Sequence, residues 1–504
     1  MESFEDKNVW KSIEQYVFEH AANTPDKKAI ITRAREVTYS ELAREAAGCV
    51  EFLKRKGVKK GSVVVVKTNQ TVEHIVLYLA IHLAGGVMAS LERTISNEGI
   101  ANAARSVGAD VIISDDLAAV ELYPSIFIDS GCFKPEGGEA AVEFFSEEES
   151  LFTFPKAEDP GEILFTTGTT GASKGVEMSH GALFALAENV IYGVSCPQDF
   201  VLVVPGPLNH ANAIRNLTAA LVTGGAVYIL NGMMNLQNFY EALDYPCEKI
   251  SCCLPPAYLR MMFMLSGDKI GEYADKIDYI MSSTAPIPEA DKERLCRLLP
   301  KSRLYNSYGS SESGIVCMYN YNAYPGMQNC IGLAIKNSEA LIVDENGNEI
   351  PSSAENPGLI ACRSTANMIG YVNAPDLTKQ CLRDGVFYTN DIGYKDEDGF
   401  IYILGRKGDV INVGGMKVAP SEVEEAAIAY EGVEDCICIS MDDAITGKAL
   451  KLLVVLRGGM KLDPKELRTY LADRLEAYKV PQKYEQVAQI KRTYNGKLDR
   501  KAYS

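Results

Sequence analysis

The stretch Ile163-Leu-Phe-Thr-Thr-Gly-Thr-Thr-Gly-Ala-Ser-Lys-Gly-Val176 sets the reading of the whole chain. It opens as a short buried strand and runs into five hydroxyls, three glycines and one lysine. That combination suits a flexible loop whose backbone N–H groups, hydroxyls and ammonium wrap phosphate oxygens, because glycine lets the backbone come close to an anion. The candidate phosphate binders are Thr166, Thr167, Gly168, Thr169, Thr170, Gly171 and Lys174. The loop is not of the Walker A type, which places Gly before Lys and Ser or Thr after it. Here Ser173 precedes Lys174 and Gly175 follows it.

Working outward, helical apolar spacing at 39–56 alternates with β-rich runs at 62–66 and 110–113. The alternation continues through 163–165, 227–230, 250–254, 279–281 and 303–306. Strands separated by helical segments predict parallel sheets with helices on their faces. Past about residue 330, turn clusters at 344–348 and 396–399 sit between β-rich runs at hairpin spacing, which predicts a small β subdomain. The last hundred or so residues place helical patterns at 421–430 and 464–478 around strands at 435–440 and 451–456, as an α+β domain would. Gly405-Arg-Lys-Gly-Asp409, polar and bounded by glycine, is the expected boundary.

Composition narrows the function. The 504 residues suggest about three folding units, and 47% hydrophobic against 23% charged residues is the balance of a chain with a large core. A net charge of -17 argues against an extended nucleic-acid surface, so a bound phosphate must be held by a few placed donors or a metal ion. Glu2, Glu5 and Asp6 stand where an export signal would be basic, and a cytoplasmic location is expected. The apolar run 75–91 contains His82, Gly85 and Gly86 and is shorter than the roughly 18–20 clean residues of a membrane span, so it reads as a buried helix and no span is expected. The 13 cysteines are odd in number and lack Cys-x-x-Cys spacing, which fits reduced thiols better than disulfides or a zinc site. Cys436 and Cys438 alternate with Ile437 and Ile439, as in a strand.

A second segment, Asn306-Ser-Tyr-Gly-Ser-Ser-Glu312, also follows a predicted strand. Ligands of open parallel sheets bind beyond the carboxyl ends of strands, so both loops are expected to face one crevice. A carboxylate beside phosphates needs Mg²⁺ between them, which gives Glu312 a metal-binding reading, and Tyr308 offers a flat face for a base. Taken alone, Tyr308 reads as a core tyrosine and Glu312 as a solvated surface charge.

With these two segments the chain resembles the adenylate-forming superfamily of acyl-CoA synthetases, carrier-protein adenylation domains and firefly luciferase, over about residues 12–503. The resemblance implies that the first loop binds the ATP phosphates and that Asn306, Ser307, Gly309 and Ser310 belong to the ATP site. It further implies that Tyr308 stacks on adenine, Ser311 contacts phosphate and Glu312 holds Mg²⁺. Tyr388-Thr-Asn-Asp391 is similar to the family segment whose carboxylate accepts from both ribose hydroxyls, which implicates Asp391. Arg406 matches an arginine on ribose or phosphate. Gly408 falls at the interdomain hinge, and Gly414 and Gly415 at the loop bordering the thiol tunnel. Asn390 replaces the family's glycine before the aspartate, and asparagine tolerates left-handed geometry. Thr493-Tyr-Asn-Gly-Lys497 resembles the segment with the catalytic lysine, whose ammonium offsets the repulsion between a carboxylate and the α-phosphate. By itself Lys497 would read as a solvated tail lysine.

The acid-binding region follows the same resemblance. Pro207-Leu-Asn-His210 is similar to the Pro-Leu-Phe-His of CoA ligases, where the histidine gates the acyl pocket, so Asn209 and His210 are candidates. A helix cap or core histidine is the alternative for His210. No aspartate occurs at 209–216 to pair a free α-amine. Ser282-Ser-Thr-Ala-Pro286 stands for the family's Ser-Gly-Gly-Ala-Pro wall, and Ser283, Thr284 and Ala285 suggest a narrower, more polar pocket. Arg215 reads as a helix-surface arginine, or as a partner for a second substrate carboxylate.

The resulting expectation is an α/β protein. Its large N-terminal domain, 1–405, comprises two αβ-layered sheet subdomains and a small β-barrel-like subdomain at about 330–405. A hinge at 406–409 leads to a mobile α+β C-terminal domain, 410–504. The implied activity is AMP-forming conversion of a small carboxylic acid to an acyl adenylate with ATP and Mg²⁺, then transfer to CoA. The alternatives are transfer to a carrier-protein phosphopantetheine and a non-catalytic nucleotide-binding protein of the same fold.

Overall fold

The helix Tyr39–Arg55 shows how the sequence builds its layers. The Thr38 hydroxyl accepts from the Glu41 N–H at 3.2 Å and the Glu41 carboxylate accepts from the Thr38 N–H at 2.8 Å, so two end donors are satisfied reciprocally. Leu42, Ala46, Val50 and Leu53 then recur on one buried face. Each large aliphatic side chain there contributes about 1.5–3 kcal/mol through burial. Lys54 and Arg55 close the last turn, where the helix dipole favours cations.

The structure, a computed structural model, describes residues 10–114, 126–129, 152–167, 173–230, 232, 235–413, 416–443, 447–492 and 498–503. The chain forms two compact units. The first comprises Met1–Met327, Gly332–Ala340 and Cys362–Phe387, and the second Gln328–Ile331, Leu341–Ala361 and Tyr388–Ser504.

Two sheets organise the first unit. In one, the strands run in the order Gly314–Asn320, Arg303–Ser310, Ile277–Ser282, Ile250–Cys253, Val201–Val204, Ala226–Ile229, Lys28–Ile31 and Glu36–Thr38. From Arg303–Ser310 through Lys28–Ile31 the neighbours are parallel, with Ser282 beside Asn306. The other sheet runs Gly370–Tyr371, Ser173–Ser179, Pro160–Thr167, Val87–Ser90, Val63–Lys67, Val111–Ser114 and Ile126–Asp129. Strands such as Val87–Ser90 are buried along their whole length, which explains why they read as unbroken apolar runs in the sequence.

The run 75–91 departs from the expected single helix. It divides into the buried helix Val72–Leu83 and the strand Val87–Ser90. Gly85 makes the break: its φ is +81°, and a Cβ there would meet the Lys60 backbone at 3.1 Å. Among the described residues no helix is long and apolar enough to cross a membrane, and the described cysteines are free.

In the second unit, strand Val386–Lys395 pairs antiparallel with Ile401–Arg406. The Asp344 and Asp396 turns close as the sequence suggests, with Asp344 N–H donating to the Asn348 carbonyl at 2.9 Å and Asp396 N–H to the Phe400 carbonyl at 3.0 Å. The remainder is an α+β layer. Val433–Asp443, Gly447–Leu456 and Lys483–Gln486 form a sheet, covered by helices Pro420–Ile428 and Pro464–Ala472 through Val423, Ala427, Leu467 and Leu471. Cys436 and Cys438 alternate into that core. Arg500 forks onto the buried Glu424, donating to both carboxylate oxygens at 2.6 and 2.8 Å and to the Cys438 carbonyl at 2.9 Å.

Candidate active site

Strand Pro160–Thr167 and strand Ser173–Ser179 form an antiparallel hairpin that places Thr166 opposite Lys174 and Thr167 opposite Ser173. Both strands belong to the second sheet of the first unit, so the sheet fixes the two ends of the glycine-rich segment. Gly168, Thr169, Thr170 and Gly171 lie outside the described residues.

The second motif is a tight hairpin of Arg303–Ser310 with Gly314–Asn320, irregular between Tyr308 and Gly309. Only glycine suits its two inner positions. A Cβ on Gly309 would lie 1.8 Å from the Gly314 carbonyl oxygen, and Gly314 holds φ at +66° against Leu186. The Ser310 hydroxyl accepts from the Glu312 and Ser313 N–H groups, both at 3.2 Å. Ser310 therefore shapes the turn that carries Glu312. Tyr308 and Ser311 are half-buried beside it, and Ser307 is buried with its hydroxyl donating to the Ser282 carbonyl at 3.4 Å.

Glu312 Oε1 accepts from the Tyr371 hydroxyl at 2.8 Å. Burial, reinforced by the Glu312 carboxylate, pushes Tyr371 well above the usual phenol range, so it remains a donor at working pH. The Lys174 ammonium lies 5.6 Å from the centroid of the same ring. Sequence reading missed Tyr371. It belongs to a two-residue strand, Gly370–Tyr371, too short to leave a periodic signal.

The carboxylate, hydroxyl and ammonium set suits a magnesium nucleotide, because Mg²⁺ takes one or two hard carboxylate oxygens and completes its shell with phosphate oxygens and water. Glu312 would be the protein carboxylate and Lys174 a phosphate cation.

His210 stands at the start of helix Ala211–Thr223, where its Nδ1 accepts from the Asn212 N–H at 3.3 Å, and its side chain is exposed. The accepting role of Nδ1 leaves the ring proton of the neutral imidazole on Nε2. Asn209 is half-buried next to it. At the carboxyl end of Ile277–Ser282, Ser283 is buried while Thr284 and Ala285 are exposed. Thr284 adopts φ +78°, a glycine-type conformation held by a β-branched residue. Ser282 Oγ, Ser283 Oγ and Asn306 Oδ1 are buried and find no hydrogen-bond partner among the described residues.

Arg215 differs from both expectations. It is neither on the helix surface nor open to a substrate carboxylate: its Nη2 lies 2.6 Å from Glu162 Oε2, with side-chain exposures of 3% and 1%. The helix Ala211–Thr223 is buried nearly all round, so a charged residue midway along it must find its partner in the core.

In the second unit, Asp391 Oδ1 lies 3.5 Å from Arg406 Nε across the paired strands, and the arginine is mostly exposed. Asn390 holds φ +64°, the left-handed geometry expected when it replaces glycine. Gly408 sits in the turn after Ile401–Arg406, and a Cβ there would meet nothing within 4 Å. Gly414, Gly415 and Lys497 lie outside the described residues.

Comparison with known proteins agrees with this geometry. Residues 17–372 match the family model of AMP-binding enzymes, and residues 422–497 that of the AMP-binding enzyme C-terminal domain. The chain is 27% identical to a long-chain-fatty-acid–CoA ligase of Bacillus subtilis (strain 168), over 97% of this chain and 94% of that one. It is 26% identical to the fatty acid–[acyl-carrier-protein] ligase ScoC of Streptomyces coeruleorubidus, over 96% and 94%. Its fold superposes with a TM-score of 0.81 on O-succinylbenzoate coenzyme A synthetase (MenE) from Bacillus subtilis in complex with ATP and magnesium ion, at 22% identity, covering 96% of this chain and 98% of that one.

Proposed function

The chain belongs to the AMP-binding enzyme family, and on that premise we propose that it activates a carboxylic acid with Mg-ATP and passes the acyl group to the thiol of CoA. The observation that carries this reading is the meeting of the Glu312 carboxylate and the Lys174 ammonium on one side chain, Tyr371. A metal carboxylate and a phosphate cation are thereby held together at the end of the glycine-rich hairpin.

In the first half-reaction the substrate carboxylate attacks the α-phosphate, and pyrophosphate leaves. Magnesium, when bound, neutralises the phosphates and orients pyrophosphate for departure. Lys174, Thr166 and the loop 167–171 hold phosphate oxygens, Asn306, Ser307 and Ser311 extend that contact, and Tyr308 stacks on the base. Asp391 accepts from the ribose hydroxyls with Arg406 beside it. Lys497 supplies the ammonium that offsets repulsion between the two reacting anions. In the second half-reaction a lid comprising 410–504 turns about Gly408 in the hinge 406–409, and Gly414 and Gly415 border the thiol path. The thiol sulfur attacks the acyl carbon and AMP leaves.

The acid is short or polar. Ser282 and Ser283, at the end of strand Ile277–Ser282, keep buried hydroxyls that find no partner among the described residues, and such atoms favour a ligand that hydrogen-bonds them. His210 and Asn209 gate this pocket, with Thr284 and Ala285 on its rim. Turnover of palmitate above short or aromatic acids would contradict this assignment.

Transfer to a carrier-protein phosphopantetheine is the second reading, supported by the similarity to the acyl-carrier-protein ligase ScoC. A cytoplasmic location, where ATP and either thiol acceptor are at hand, goes with this proposal. ATP–pyrophosphate exchange over pooled carboxylic acids tests the first half-reaction. Silence across a wide panel would favour a non-catalytic nucleotide-binding protein of this fold, and CoA or carrier protein added to a responsive acid separates the two acceptors.

A further inference from the structure

Tyr371 lies at a seam. Its short strand pairs with the return strand of the phosphate-loop hairpin, Gly370 opposite Glu177 and Tyr371 opposite Val176. The backbone on either side is stitched to both ATP-binding motifs. Met368 N–H donates to the Glu312 carbonyl at 2.7 Å, Ile369 N–H to the Glu177 carbonyl at 2.8 Å and Val372 N–H to the Gly175 carbonyl at 2.9 Å. Residues 368–372 thus form a strap between the Glu312 turn and the strand that starts at Ser173. The side chain repeats this arrangement, with its hydroxyl on the carboxylate and its ring beneath the ammonium.

Lys174, on the return strand of the phosphate-loop hairpin, and Glu312, in the turn of the second hairpin, meet the same side chain, and opposite charges so placed would tend to pair with each other, which would take the cation from phosphate and the carboxylate from metal. Tyr371 gives each charge a partner of its own, because its ring attracts the ammonium while its hydroxyl donates to the carboxylate. The donated bond also fixes the carboxylate orientation, as second-layer partners of metal ligands do.

We propose that Tyr371 is a positioning residue that holds the Glu312 carboxylate in the orientation that takes the magnesium of Mg-ATP, and that its ring keeps Lys174 from pairing with that carboxylate. The inference rests on the reading of Glu312 as the metal carboxylate. A hydrogen bond to a charged group is worth enough to change metal affinity about tenfold.

The test uses the full chain with Tyr371→Phe, which keeps the ring and removes the hydroxyl. Manganese–ATP binding followed by electron paramagnetic resonance should weaken about tenfold, as should the Mg²⁺ dependence of pyrophosphate exchange. ATP binding in EDTA should stay unchanged. Tyr371→Leu, which also removes the ring, should in addition weaken metal-free ATP binding, because Lys174 then pairs with Glu312. Unchanged metal affinity in Tyr371→Phe, with Glu312→Gln clearly weakened, would overturn the role of Tyr371 alone. Unchanged metal affinity in Glu312→Gln would overturn the underlying assignment of the carboxylate. If Tyr371→Phe lowers turnover equally at every Mg²⁺ concentration, the residue is structural and the proposal fails.

Discussion

Arg215 and Glu162 form a buried ion pair that joins the helix beginning at His210 to the strand leading into the phosphate loop. Neither charge has access to water, so each depends on the other. Arg215→Met should cost about 3–5 kcal/mol in urea unfolding, because it strands the glutamate. Adding Glu162→Leu should recover most of that loss, since an apolar pair of similar volume removes the desolvation penalty. If the double variant is no more stable than the single one, the coupling is absent.

His74 and His180 should make the protein acid-sensitive. Burial pushes each down to about 4 from the ordinary 6.5, with His82 adding to the effect at His180. Between about 6.5 and 4 the unfolded chain binds protons that the folded chain refuses, so stability falls as pH falls through that window. Each group contributes about 3 kcal/mol at full effect. Urea midpoints measured from pH 7.5 to 5 should decline, and His180→Asn should flatten part of the slope. A midpoint that rises on acidification would refute the assignment.

Lys497→Ala should abolish adenylate formation, with a loss of about a thousandfold or more, and leave thiolysis of supplied acyl adenylate largely intact. Stopped assays of the two half-reactions distinguish this from a general defect. Equal loss in both would contradict the division of labour.

Gly408 offers a contrasting test. A Cβ at this turn meets none of the described residues within 4 Å, so Gly408→Ala should fold with unchanged stability and adenylate formation. Gly408→Pro should slow thiolysis more than adenylation, since a fixed φ resists rotation about the hinge. Equal rates of thiolysis in the alanine and proline variants would exclude a pivot here.

Asp391→Asn should raise KM for ATP about tenfold with little change in kcat, because the amide keeps one acceptor oxygen and loses the charge. Thermal unfolding should be unaltered. A matching loss in kcat would mean that the residue acts in the transition state.

Candidate chemistry concentrated in contiguous residues could be marked in the sequence. The phosphate segment 163–176 and the turn 306–312 each gather their polar groups within a few residues, so they stand out in the sequence as candidates, and the Asp391 strand was marked by its resemblance to a family segment. Alternation of strands and helices likewise fixed the α/β layers, and Asn390 was expected in the left-handed geometry that it adopts. The tertiary structure decided what depends on distant pairs. Tyr371 reaches Glu312 across 59 positions, and Arg215 finds Glu162 in the core although a lone arginine on a helix reads as surface. The run 75–91 turns at Gly85 because apolar residues alone do not distinguish a buried helix from a buried strand. Local pattern reports what a segment can become, whereas burial and partnership are set only when the sheets assemble and exclude water.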